Sequence, residues 1–370
     1  MTASLLVTQL FRELECRGVR YAVLRNYEQL PELARDDDSG ATTDIDLVID
    51  SRDLDLWRSI AAEAAREQGW DALVECDHWR QSRVRHHRIE VFQFYRLSPP
   101  AFLQVDVFHA YLVLGLPLVD ERGLLEGRVP HANGLVVCVD PVKEAAFKLH
   151  QVYAHLKTNP AEPKIQRYRR SLAVARESRQ QALDEFLQRY FYDFGPAALG
   201  CLVRDDLDVF AWNMGRARAR FVIEFFLRHP IHAIWSIANR VREHRLRFRT
   251  RQCGRLSRAW APEERHKRLL RQVMNWLARA NVVDDWTERA GSKDLSRKER
   301  AIMEQGGLVV EWSDRAGAHI DVPANDDFDS LSASIIRLLA ARHQTLYRSA
   351  TFLERNTGSL KRQPERAMAR

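Results

Sequence analysis

The chain has 370 residues, too many for one ordinary core and enough for two domains or slightly more. Hydrophobic residues make up 45% and charged residues 29%, the composition of a soluble globular protein. The net charge of +7 is uneven: between Arg216 and Arg258 twelve arginines face only Glu224 and Glu243, a local excess of +10 that leaves the remainder of the chain at −3. The start, Met1-Thr-Ala-Ser-Leu-Leu6, lacks the charged beginning and long apolar core of a signal peptide. No window approaches ~18 uninterrupted apolar residues, so no spanning helix is expected. Cys16, Cys76, Cys138, Cys201 and Cys253 are odd in number, far apart and without a CxxC pair. They read as reduced thiols of a cytoplasmic protein, not as a disulfide frame or a zinc site.

Taken in chain order, residues 4–17 place Leu5, Leu6, Leu10, Phe11 and Leu14 at helical spacing, and Gly18 stops that helix. Residues 19–24 predict a short strand, followed by a polar loop with Pro31 and the Asp36-Asp-Asp-Ser-Gly40 cluster. Asp44–Ile49 predicts a buried strand with acids at alternate positions. Residues 53–68 predict a helix ended by Gly69, and 70–76, 82–96 and 102–108 predict further strands. Asp140-Pro141 starts a helix with Ala145, Leu149, Val152 and Leu156 on one face. This order predicts an α/β or α+β domain with a mixed sheet over residues 1–160. Residues 161–215 read as a helical extension with Pro163 and Pro196 as punctuation, and 216–260 as an arginine-rich helical linker. Residues 261–350 read as a small region of helices and one hairpin, 308–313 against 318–322 around Arg315-Ala-Gly317. In it, Phe328–Tyr347 forms an amphipathic helix on Leu331, Ile335, Leu338, Leu339 and Leu346. The polar, basic residues 351–370 predict a disordered tail.

The strongest chemical signal is Asp44-Ile45-Asp46. Side chains two apart in a strand share a face, which puts both carboxylates about 6–7 Å apart at the backbone. Carboxylates that close repel unless a cation neutralises them, and hard oxygen ligands suit Mg²⁺ or Mn²⁺. Leu47-Val48-Ile49 anchors the strand in the core. In Gln104-Val-Asp-Val-Phe108 a second acid, Asp106, interrupts an apolar strand, and buried carboxylates are rare without a partner. An adjacent strand carrying Asp106 completes a three-carboxylate cluster, of the kind that holds metals for an in-line phosphoryl displacement.

A strand, a loop, Asp-hydrophobic-Asp-hydrophobic and a third Asp on a later strand resemble the polymerase-beta-type nucleotidyltransferase superfamily. The run Tyr21-Ala-Val-Leu-Arg-Asn-Tyr-Glu-Gln-Leu-Pro31, followed by Thr43-Asp-Ile-Asp-Leu-Val48, resembles a narrower bacterial group found with surface-polysaccharide genes, some members of which are fused to a thymidylate-kinase-like domain. The resemblance covers about residues 1–160. It implies a nucleotidyltransferase fold, with Asp44, Asp46 and Asp106 as catalytic and metal-binding residues. It also implies Mg²⁺-dependent transfer of a nucleotidyl group from an NTP to a small acceptor, a sugar or polysaccharide precursor. Where the superfamily carries Gly-Ser or Gly-Gly after the first strand, this chain has Leu24-Arg25-Asn26. Arg25 and Asn26 are therefore candidate nucleotide-binding residues, with Arg25 either a charged fork on a phosphate or a salt bridge to the acids. Lys148 either reaches the nucleotide from its helix or snorkels at the surface. His78, Arg80, Arg83 and Arg85 form either a cleft wall or a plain exposed basic strand, and His86, His87 and His109 lack a metal-ligand spacing. No P-loop is present, Gly291-Ser-Lys293 being the nearest fragment. The runs 308–312, 320–322 and 328–348 resemble the last strand and helix of such kinases, which implies a degenerate remnant without ATP chemistry. The competing class is an inactive nucleotidyltransferase fold kept as a binding or scaffold module.

The arginine stretch has three readings. Residues 221–227 and 231–241 are apolar, with Pro230 between them, and Arg240, Arg242, Arg245, Arg247, Arg249 and Arg251 follow. A solvated basic linker helix, a helix lying on an anionic membrane (residues 221–251) and a nucleic-acid contact all fit this pattern. No known RNA-binding motif accompanies it.

Overall fold

The computed structural model describes residues 2–25, 27–32, 44–78, 89–97, 100–156, 163–238, 241, 256–279, 286–289, 296–305, 308–322, 327–347 and 350–352. Helix α1 (Thr2–Cys16) leads to strand β1 (Tyr21–Arg25), a single 3₁₀ turn (Tyr27–Gln29), β2 (Asp44–Ile49) and α2 (Leu54–Glu67). Both helices end as their glycines require. The N–H groups of Gly18 and Val19 donate to the carbonyls of Glu15 and Leu14, and those of Gly69 and Trp70 to Arg66 and Ala65. Gly18 and Gly69 take the left-handed φ, +66° and +68°, that such C-terminal caps demand. Then come β3 (Ala72–His78), β4 (Ile89–Leu97), β5 (Pro100–Phe108), the hairpin of β6 (Ala110–Val113) and β7 (Leu116–Asp120), α3 (Glu121–Leu125), β8 (Val129–Pro130) and β9 (Val137–Cys138).

The large sheet has the order β14-β3-β4-β5-β2-β1-β9-β8, where β14 (Ala350–Phe352) is the last strand of the described chain. Parallel pairs β2–β5 and β1–β9 alternate with antiparallel ones, so the sheet is mixed, as the element order predicts. Alternation divides its faces. Tyr21, Val23, Ile45, Leu47, Ile49, Phe92, Phe94, Leu103, Val105 and Val107 pack with α1 and α2. Ala22, Leu24, Val48 and Phe108 belong to the core built with α4 (Pro141–Leu156), α5 (Pro163–Phe191), α6 (Phe194–Val203) and α7 (Leu207–Arg228). The Asp140 carboxylate accepts from the Val142 N–H at 2.8 Å and starts α4 where the Asp-Pro pair predicts.

Beyond α7 lie helix α8 (230–238), β10 (Leu256–Trp260), α9 (Glu264–Arg279), β11 (Trp286–Arg289), α10 (Arg297–Gln305), β12 (Leu308–Trp312), β13 (Ile320–Asp321) and α11 (Phe328–Tyr347). Three expectations are corrected here. The segment 216–260 is not helical to its end, because 256–260 is a strand. The expected hairpin of 308–313 with 318–322 does not form: β12 and β13 lie on opposite sides of β10 and both run parallel to it, in a four-stranded sheet of order β11-β12-β10-β13. The turn at Gly317 closes on a side chain instead, since the N–H groups of Gly317 and Ala318 both donate to Asp321 at 3.0 Å. Finally, the start of the expected tail is ordered, as 350–352 pair antiparallel with β3; residues 353–370 lie outside the described residues. Tyr95 and Phe102 of the large sheet join Leu270, Val273, Val310, Leu331 and Ile335 in a third core, which binds the C-terminal sheet and α11 to the first domain. No helix among the described residues is long and apolar enough to cross a membrane.

Candidate functional site

Strands β2 and β5 run parallel with Asp46 opposite Asp106 and Asp44 opposite Gln104. Their odd neighbours Ile45, Leu47, Val105 and Val107 are pinned in the core beneath α1 and α2. Strand alternation therefore turns positions 44, 46, 104 and 106 toward the other face, with adjacent strands about 4.8 Å apart. The expected juxtaposition of Asp46 and Asp106 is thus present, and Asp44 holds the expected backbone position; its side chain is outside the described ones. Gln104, which the sequence reading passed over, donates its amide to Asp106 Oδ1 at 3.0 Å. Its position two residues before Asp106, on the same strand face, was the available signal.

Arg25 arrives through a break in register. Val23 pairs with Leu47, but the next pair is Arg25 with Asp46, one residue more on β1 than on β2. Such a bulge re-aims a side chain, and here Arg25 Nε donates to Asp46 Oδ2. This ion pair is one of the two roles expected of Arg25. Burial works against its charge, but Asp46, aided by the phenols of Tyr168 and Tyr111, raises the guanidinium further above its ordinary value. Asp46 is 2% exposed, and its Oδ1 has no hydrogen-bond partner among the described residues.

A buried polar layer continues behind this pair. Tyr111 stacks on Phe147, and its hydroxyl lies 3.2 Å from the Phe147 carbonyl and 3.0 Å from His150 Nδ1. Burial raises that phenol well above its ordinary range. Lys148 is 4% exposed, which rules out a snorkelling surface lysine. Its Nζ lies 2.7 Å from Glu144 and 3.1 Å from Ser171 Oγ, while Glu144 also accepts from the Tyr27 hydroxyl at 2.5 Å. Cys138, near the same group, is held protonated by burial and by Glu144.

On the sheet's other side His109 is fully buried between Glu90, 2.9 Å from Nε2, and Glu121, 3.5 Å from Nδ1; Arg58 binds the far oxygen of Glu90 at 2.6 Å. This is a satisfied structural cluster that no sequence spacing announced. Asn26, Arg80, Arg83, Arg85, His86 and His87 lie outside the described residues, and of His78 only the strand position is described. Among the described cysteines Cys16, Cys138 and Cys201 are free thiols.

The described donors fit a hard divalent cation in one respect: a buried carboxylate oxygen, Asp46 Oδ1, stands without a partner on the face it shares with Asp106. In another respect Arg25 already supplies a positive charge to Asp46. Among the described side chains, which exclude that of Asp44, no group of three or more His, Cys, Asp or Glu that could hold a metal is present. No family model, curated protein or solved structure matches the chain.

Proposed function

We propose that residues 1–160 form a nucleotidyltransferase-type domain that transfers a nucleotidyl group from an NTP to the hydroxyl of a small acceptor such as a sugar or polysaccharide precursor. The observation that carries this reading is the in-register pair Asp46 and Asp106 on one sheet face, with an unpartnered Asp46 oxygen and position 44 two residues away. Asp44, Asp46 and Asp106 would hold Mg²⁺ or Mn²⁺, which would supply charge neutralisation as the acceptor hydroxyl, giving up its proton to Asp106, attacks the α-phosphorus and pyrophosphate departs. Within the chain, Gln104 fixes the Asp106 carboxylate and the apolar neighbours of each strand fix the register. Arg25 balances Asp46 in the resting protein and, on exchanging it for a phosphate oxygen, would add a charged donor to the nucleotide. Lys148, locked to Glu144, positions α4 rather than a substrate. The all-parallel C-terminal sheet with its helices supports the kinase-remnant reading of residues 256–347.

A second reading is favoured by the Arg25–Asp46 ion pair itself. An arginine in place of a cation offsets the charge of the most buried acid, Asp46, without metal, as suits a binding module that has given up chemistry. Calorimetry of the full chain with each of the four NTPs, with and without Mg²⁺ or Mn²⁺, separates the two. Heat with at least one NTP only when a divalent cation is present, lost in Asp46→Asn, supports catalysis. No heat with any nucleotide under either condition would assign the domain to the binding-module class.

A further inference from the structure

Helix α8 is built inside out. Its buried residues, Ala233 and Ser236, are small, whereas Ile231, Ile234, Trp235 and Ile237 stand 68, 62, 40 and 50% exposed. With 3.6 residues per turn, Ile237, Ile234, Ala238, Ile231 and Trp235 follow one another along an arc of roughly 160° that contains no charged residue. The preceding helix α7 leaves Ile223 and Leu227, one turn apart, 60 and 78% exposed. By contrast α2 follows the usual rule and buries Leu54, Trp57 and Ile60. Single exposed leucines are ordinary, but large apolar residues filling the solvent-facing arc of a helix mark a surface that something covers.

Charge decides between the two occupants of such a face. Arg220 and Arg228 on α7 are 51 and 74% exposed, and their one acidic neighbour, Glu224, is shared between them. The sequence from Arg216 to Arg258 carries an excess of +10. Pairing with a second copy through this face would bring two such segments together, and like charges oppose that. A surface rich in phosphate offers the complement, and Trp235 at the edge of the apolar arc occupies the position where an indole meets headgroups.

We propose that α8 and the end of α7 form a docking site for an anionic phospholipid surface. The helix lies in the headgroup plane, with Ile231, Ile234, Trp235 and Ile237 at the acyl boundary and the exposed Arg220 and Arg228 of α7 on lipid phosphates. The site is independent of the nucleotide reading and is tested separately, by flotation of the full chain with vesicles of mixed phosphatidylglycerol and phosphatidylcholine and with vesicles of phosphatidylcholine alone. Recovery with the anionic vesicles should exceed that with neutral ones by at least about tenfold and fall as salt rises. The double substitution Ile231→Glu with Ile234→Glu should abolish it while the circular dichroism spectrum and melting temperature stay unchanged, since these side chains are 68 and 62% exposed. Should that variant unfold, Ile231→Ser with Ile234→Ser replaces it. Equal recovery with both lipids, recovery with neither, or binding indifferent to these substitutions overturns the proposal. So does a dimer in sedimentation equilibrium that the same substitutions dissociate, which would give the face to a second copy.

Discussion

At the residue scale, Arg25 and Asp46 occupy buried places that neither tolerates alone. Arg25→Ala strands a carboxylate that is 2% exposed, and should cost about 3 kcal/mol of folding stability in urea denaturation. Millimolar Mg²⁺ should restore part of that loss if Asp46 accepts a cation, and an unchanged midpoint would count against the metal reading. His150 gives a pH dependence. Burial first, then Arg218 and Arg25, pushes its imidazole down to about 3. Below the ordinary value near 6.5 the unfolded chain takes up a proton here that the folded chain refuses. The stability tied to this group is therefore complete above about pH 6.5 and falls on acidification, by up to about 1.4 kcal/mol per pH unit, until about pH 3. His150→Phe should flatten that part of the slope, as urea unfolding of both proteins between about pH 7 and pH 4.5 would show. Asp46 and Asp106 were legible in the sequence because an acid inside an apolar strand breaks a period-two pattern. The Arg25 bulge was not, since one extra residue in a strand leaves no mark on composition. Nor was the burial of Lys148, which depends on Ser171 reaching Lys148 and Tyr27 reaching its partner Glu144 from distant parts of the chain.

At the scale of elements, legibility followed local chemistry. Gly18, Gly69 and Asp140-Pro141 announced their helix ends because a cap is decided within a few residues. The hairpin β6–β7 went unseen, since its two-residue turn is Leu114-Gly115 and not the Asn-Gly that usually betrays one. Leu114 takes φ +55° there, an uncomfortable value for a leucine. Leu114→Asn should therefore raise stability by about 0.5–1 kcal/mol, and a melting temperature that falls would mean that the 41% exposed leucine contributes packing that the asparagine loses. Strand β10 was hidden for a different reason. Its inward residues are Ser257 and Ala259, both fully buried, so alternation inside an arginine-rich run carries no large apolar signal. With β10 unseen, β12 and β13 had only each other to pair with, and the hairpin expectation followed.

At the scale of the molecule, the third core makes the two sheets mechanically dependent. Helix α11 packs on β3 and β4 as well as on its own sheet. Ile335→Ala should cost about 3 kcal/mol, within the usual range for a fully buried isoleucine. Hydrogen exchange read by mass spectrometry should then accelerate in β3 and β4, far away in sequence. Acceleration confined to residues 256–347 would mean that the two halves unfold independently. This coupling was beyond the reach of the sequence, which shows where apolar faces exist but not which distant face each one meets. The pairing of β14 with β3 carries the dependence into biosynthesis. The strands of the large sheet from β1 to β9 have all been made once residue 138 is joined, yet the outer edge of β3 waits for residues 350–352, which are joined much later. While the residues between 138 and 350 are being added, a growing chain therefore presents an open strand edge, and neighbouring nascent chains on one messenger present the same edge in the same orientation. Slow elongation between the two sheets would prolong that exposure, so the yield of native protein should depend on translation rate as well as on the stability of the finished fold.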